Sequence, residues 1–156
     1  MKAASLKELK NELANMPPSD LVDLCMHLVK YKKENKELLT YLLFEANDEQ
    51  AYIKHVKELM NEQFEDVHKS NLYLAKKTIR KILRTTQKYI KYSGAKETEL
   101  ELLIFFCLKL RKTGISMPSN TALGNIYLRQ YQKINKVLAS LHEDLQYDYQ
   151  DKIRLL

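Results

Sequence analysis

Apolar residues recur at intervals of three and four along almost the whole chain, and a few punctuating residues cut that pattern into helices. Ser5 and Glu8 form a capping box ahead of Leu6, Leu9, Leu13 and Met16, and the pattern stops at Pro17-Pro18, which predicts a short first helix. Ser19 or Asp20 is placed to cap a second helix carrying Leu21, Leu24, Cys25 and Leu28 on one side, ending in the charged tract Lys30 to Lys36. A third helix is expected from Leu38 to Ala46, with its start near Asn35. Asn47-Asp48 caps a fourth, in which Tyr52, Ile53, Val56, Met60, Phe64 and Val67 make one stripe. Ser70 or Asn71 then caps a fifth, unless helices four and five run on as one, and Ser93-Gly94 ends it. Thr98 and Glu101 have the spacing of a second capping box, and Leu100 with Leu102 to Leu108 is apolar nearly all round, as a central helix is. Gly114 sits where a left-handed C-terminal cap belongs, with Ile115 after it. Pro118 to Thr121 restart the chain. Leu123, Ile126, Tyr127, Ile134, Val137, Leu138 and Leu141 mark a seventh helix, and an eighth is expected from about His142 to Arg154.

No stretch alternates with period two for long enough to read as a strand, and no Asn-Gly or Asp-Gly hairpin turn occurs. The class is therefore all-α: an irregular multi-helix bundle or a short right-handed helical superhelix of seven to eight helices, in a single domain spanning 1–156. Val29-Lys30-Tyr31 with Leu38-Leu39 is weakly echoed by Ile90-Lys91-Tyr92 with Leu102-Leu103, which suggests a duplicated helical hairpin.

Composition adds limits more than identity. With only 3 Gly and 3 Pro in 156 residues, turns are few and helices long. Cys25 and Cys107 lie in separate apolar patterns with no second Cys or His at ligand spacing, so they read as reduced core thiols of a cytoplasmic protein. The N-terminal segment alternates apolar and charged residues where a secretory signal has a continuous apolar core, so the mature chain is expected to start here. The longest apolar run, Leu102 to Leu108, is far short of the roughly 20 residues that cross a bilayer, so no membrane partner is expected.

Charge changes the picture most. From Asp66 to Glu97 there is no acidic side chain between, yet the gap holds Lys69, Lys76, Lys77, Arg80, Lys81, Arg84, Lys88, Lys91 and Lys96, more than the net +6 of the whole chain. On a helical wheel Leu72, Ala75, Ile79, Ile82, Leu83, Thr86 and Ile90 share one face, and Lys77, Arg80, Lys81, Arg84, Lys88 and Lys91 fall about 80° to 180° away. Tyr73 and Tyr92 stand among these charges. From Tyr73 to Lys91 the ridge runs about 27 Å, enough to meet several phosphates of a nucleic-acid strand, with Tyr73, Tyr89 or Tyr92 placed to stack on an unpaired base. The preceding segment supplies a competing use for those charges. Glu45, Asp48, Glu49, Glu58, Glu62, Glu65 and Asp66 lie there against only Lys54 and Lys57, so the two helices are also suited to pairing with each other. An acidic protein partner is the third use.

Other chemistry is thin. Glu65 and His68 form one E-x-x-H, and His55, Glu58, Glu62 and Glu65 share a helical face, but a bundle metal centre needs two such motifs with two further glutamates pointing inward. His27 and His142 stand alone. No Gly-rich phosphate loop, nucleophile elbow or C-x-x-C occurs, so no catalytic, cofactor or metal residues are assigned and the chain is read as no enzyme. Tyr127, Tyr131, Tyr147 and Tyr149 are candidates for an aromatic partner surface, or for boundary positions with the ring inward and the hydroxyl in water.

The segment LKELKNELANMPPSDLVDLCMHLVKYKKENKELLTYLL within the first 46 residues resembles a family of uncharacterised bacterial helical domains. Those open with a Leu/Lys helix, a short break, a Ser-x-x-Leu helix and a Lys-Tyr-Lys-Lys-x-Asn-Lys turn. It is also distantly similar to SAP-type and Rho-N-type helix-turn-helix modules, which bind DNA or RNA. It departs from those in lacking a glycine between the helices and in carrying Asp20 and Asp23 where a basic surface is wanted. The expectation is a non-catalytic interaction or scaffold protein with a protein partner, a homo-oligomer being compatible with it. The alternative is a nucleic-acid binder whose sequence-independent phosphate contacts come from Lys77, Arg80, Lys81, Arg84, Lys88, Lys91 and Tyr73.

Overall fold

A computed structural model describes residues 2–156, which form eight α-helices and no strand. The chain divides into two compact units, Met1–Phe44 and Glu45–Leu156, and each is described by itself.

The first unit holds α1 (Leu6–Ala14), α2 (Pro18–Tyr31) and α3 (Lys33–Thr40), followed by a π-helical turn over Tyr41–Glu45. The expected capping box forms: Ser5 Oγ accepts from the Glu8 amide, and the Glu8 carboxylate accepts the Ser5 N–H at 2.7 Å, which holds that carboxyl below its ordinary range. Neither Ser19 nor Asp20 caps α2. Pro17 is the cap and Pro18 opens the helix, because its fixed φ suits the first turn and its missing N–H is not needed there. An extended Lys32 separates α2 from α3, so α3 starts five residues before Leu38. Asn35 Nδ2 donates to the Leu28 carbonyl at 2.7 Å, satisfying an acceptor near the end of α2. No residue of α1, α2 or α3 is buried. Physical size explains this, since a unit of this length has too little volume to close a core around its own apolar side chains.

The second unit holds α4 (Glu49–Glu65), α5 (Leu72–Ser93), α6 (Lys96–Lys112), α7 (Ala122–Leu138) and α8 (Glu143–Arg154). Helices four and five are separate, because Asn71 Oδ1 accepts from the Leu74 amide and starts α5 anew. Gly94 (φ 69°) ends α5 in the left-handed conformation, and Gly114 (φ 72°) takes the same conformation just after α6, as the chain pattern predicts. The nearly all-apolar α6 is the centre of the unit and packs on α4, α5 and α7. Leu100, Leu102, Leu103, Phe106, Cys107 and Leu110 are fully buried. Burial pushes the Cys107 thiol up to about 12, so it is an inert core group.

The second capping box is not formed. α6 begins at Lys96 after Ala95, which puts Thr98 inside the first turn, buried, with its hydroxyl donating to the Glu49 carboxylate of α4. Glu101 instead accepts Lys57 Nζ of α4 and Lys152 Nζ of α8, each at 2.5 Å. Burial raises the Glu101 carboxyl, but the two ammonium groups more than offset it and hold the group below its usual value. A carboxyl lowered on folding contributes stability above its unfolded value of 4.5, and that contribution disappears as pH falls through the lower folded value. Glu101→Gln is therefore expected to lower unfolding stability at neutral pH by about 1–3 kcal/mol, toward the lower figure because Lys152 is half exposed. Urea unfolding of both proteins at neutral pH and again well below the carboxylate range checks this, since the gap between them should shrink in acid. A gap independent of pH would mean that Glu101 acts through packing and not through charge.

Candidate functional site

The apolar stripe of α5 is seated: Ala75, Ile79, Ile82, Thr86 and Ile90 are buried. Thr86 stays satisfied in that position by donating to the Ile82 carbonyl at 2.9 Å. With that face fixed inward, the opposite face of α5 must meet solvent. Lys77, Arg80, Lys81, Arg84 and Lys91 are exposed, and none of them makes an ion pair among the described residues. Glu58, Glu62 and Glu65 of α4 are exposed and likewise without an ion pair. Although α4 and α5 pack together, they do so with their apolar stripes buried, and Glu58, Glu62 and Glu65 make no ion pair with Lys77, Arg80, Lys81, Arg84 or Lys91.

Lys88 differs from the other five basic positions. It is half-buried, with Nζ 5.0 Å from the Tyr89 ring centre and 5.9 Å from that of Tyr92, and those two rings meet edge-to-face. Its charge is drawn against aromatic faces. Tyr73, at the opposite end of the helix, is 69% exposed with Lys76 Nζ 5.8 Å from its centroid, so the ring stays available to solvent.

The exposed charges do not all line one feature. Arg80 and Arg84 line a groove of about 460 Å³ whose other wall is α7, whereas Lys77, Lys81 and Lys91 are exposed outside that lining. From α7 come Arg129 and Asn125, one turn apart, and α5 adds Gln87. Both helices rest on α6, which leaves this cleft between them. Arg129, Asn125 and Gln87 are not among the residues that the charge pattern of α5 singles out. The spacing of Asn125 and Arg129 on α7 is readable as a helical pair, but only the packing on α6 sets these two opposite Arg80 and Arg84.

The remaining candidates are dispersed. Tyr127 stacks on Tyr131 with centroids 6.5 Å apart and donates its hydroxyl to the Leu156 carbonyl at 2.5 Å, Tyr149 is buried, and Tyr147 is exposed, so the four make no common surface. Desolvation raises the Tyr127 and Tyr149 hydroxyls, so these two are drawn inward and do not hold the hydroxyl in water as boundary positions would. His55 lies 3.7 Å from Glu45, and no cluster of three or more His, Cys, Asp or Glu able to hold a metal ion occurs among the described residues. No helix among them is long and apolar enough to cross a membrane.

No protein-family model matches the chain, and none of the curated proteins or solved structures does so.

Proposed function

We propose that this protein binds nucleic acid through α5, making sequence-independent contacts to the phosphate backbone, and that it does so without catalysis. The observation that carries this reading is the open ridge: five cationic side chains on one helix, exposed and unpaired, beside a helix whose carboxylates leave them uncovered. A cation without an internal partner keeps its full field for an external anion. Phosphates at regular spacing are the polyanion that such a ridge meets at several points at once, each contact releasing condensed counterions.

Counterion release supplies the test. With five phosphate contacts the logarithm of affinity should fall with the logarithm of salt at a slope of about −3.5 to −4.5, the lower figure for single strands. Between about 50 and 200 mM salt the affinity should drop roughly a hundredfold or more, measured by fluorescence anisotropy on labelled DNA and RNA. Changing Lys77, Arg80, Lys81, Arg84 and Lys91 together to Gln should abolish binding at low salt while leaving the far-UV circular dichroism unchanged. Absence of binding by the natural chain at low salt would refute the reading.

A second reading, contact with a protein partner, is favoured by the first unit. Leu6, Leu9 and Leu13 lie on one face of α1 and are 86%, 48% and 39% exposed. Helical surface that is apolar and open is the usual substrate for partner binding. Under this reading, pull-downs recover a recurrent protein that survives nuclease treatment, and Leu6→Ser with Leu9→Ser and Leu13→Ser loses it. A triple variant that retains the same partner would exclude α1 as the contact.

A further inference from the structure

Building on the nucleic-acid reading, we infer that the groove between α5 and α7 seats a single strand, so that the protein prefers unpaired nucleic acid to duplex. Composition and placement point the same way. The chain has five arginines and 21 lysines, yet three of those arginines, Arg80, Arg84 and Arg129, and no lysine line the 460 Å³ segment of the groove. Planar guanidinium groups grip phosphate through two parallel hydrogen bonds and also stack on bases, which an ammonium group does not do. The exposed lysines Lys77, Lys81 and Lys91 of α5 lie outside that lining, where a point charge suffices.

The groove is also lined for more than phosphate. Leu83 and Ile126, both half-buried, give it apolar wall, while Gln87 and Asn125 add amides that can donate to or accept from base edges. Ala122 also lines a second cavity of about 330 Å³, whose other walls include Tyr73, Lys76, Ser116 and Thr121. From Leu72 to Gln87 the α5 wall is about 22 Å long, with arginines at one end and an exposed tyrosine ring at the other. A charged channel that follows a backbone, joined to an aromatic platform for bases, is the arrangement by which proteins hold single strands. Duplex, with its bases stacked and paired inward, presents only phosphates to this site and leaves the apolar wall, the amides and Tyr73 unused.

Arg129 gives the discriminating variant because it stands on α7, away from the α5 ridge. Labelled homopyrimidine DNA strands and the duplex of equal length are titrated with the natural chain, Arg129→Gln and Tyr73→Ala. Single-strand affinity is expected to fall about tenfold in each variant, with the salt slope of Arg129→Gln shallower by about 0.7, while duplex affinity changes less than about twofold. Unchanged thermal unfolding shows that the variants are folded, and intact duplex binding reports the same. A nucleoside monophosphate at equal phosphate concentration should displace the strand poorly; displacement as efficient as that by unlabelled strand would replace the strand with a small phosphate ligand and overturn the inference. Equal losses on duplex and single strand, or no loss in Arg129→Gln, would overturn it while the ridge reading stands. Failure of the natural chain to bind any nucleic acid at low salt would remove both.

Discussion

Phe106→Ala is expected to lower the unfolding free energy by about 3–5 kcal/mol, near the top of the range for any single side chain. Phe106 lies in the middle of α6, is fully buried, and places its ring 5.7 Å from that of Phe64 on α4 at an interplanar angle of 54°. Three costs combine. The ring's transfer out of water is lost, a cavity is left inside a helix that packs on three others, and the tilted aromatic pair, worth about 0.5–1.5 kcal/mol beyond its area, is broken. Against a typical domain stability of about 5–15 kcal/mol, this removes a large share. The neighbouring Phe105 is the control. It is half-exposed, with Lys57 and Lys109 ammonium groups each 5.6 Å from its centroid, so Phe105→Ala removes surface contacts without opening a core cavity and should cost clearly less. Urea unfolding followed by circular dichroism compares the two. Equal losses would mean that α6 is not the centre of the packing.

The central place of α6 was already written into the sequence, since a helix apolar nearly all round has only one stable place, between other helices, but the contrast between Phe105 and Phe106 was not. Local chemistry was legible for the same reason: Ser5 with Glu8, Asn71, Gly94 and Gly114 act through atoms within a few residues of themselves, so their spacing suffices. Thr98 and Glu101 show where spacing misleads. The motif marks a helix start only if the helix has not yet begun, and here Lys96 has already begun it, freeing both side chains for Glu49, Lys57 and Lys152. The division after Phe44 has no breaker to announce it, because a π turn carries helical backbone up to the boundary. In the candidate site, the segregation of core and charge on α5 follows from the wheel alone. Whether Glu58, Glu62 and Glu65 would cover that charge did not, because it depends on the rotation of α4 about its own axis, fixed by the burial of Val56, Met60 and Phe64. The arginine groove is one step further away, requiring α5 and α7 to lie side by side on a third helix.

Gly124→Ala is expected to be the most damaging substitution of a single hydrogen by a methyl group, at about 3 kcal/mol or more, although in an open helix the same change would be favourable by about 1 kcal/mol. Gly124 is buried in the first turn of α7 with ordinary helical backbone, so conformational freedom is not the reason for it. Space is. A Cβ placed there would lie 2.0 Å from the Pro118 carbonyl oxygen, 2.8 Å from its carbon and 3.0 Å from the Met117 oxygen, all backbone atoms that cannot rotate away. The Pro118 oxygen is itself committed, accepting the Thr121 amide at 2.9 Å and the Thr121 hydroxyl at 2.7 Å, and that hydroxyl in turn accepts the Gly124 amide at 3.1 Å to cap α7. Moving the loop therefore breaks the cap, and moving the helix shifts Ala122, Asn125 and Ile126, which line the groove. Thermal unfolding should fall by about 6–12 °C for a chain of this size. Below the new midpoint, where the protein is still folded, single-strand affinity should also drop, whereas the exposed lysines Lys77, Lys81 and Lys91 of α5 keep their contacts and duplex binding changes little. A midpoint unchanged or raised would show that the Met117-Pro118 loop yields freely, and that α7 is not held in place by its close approach.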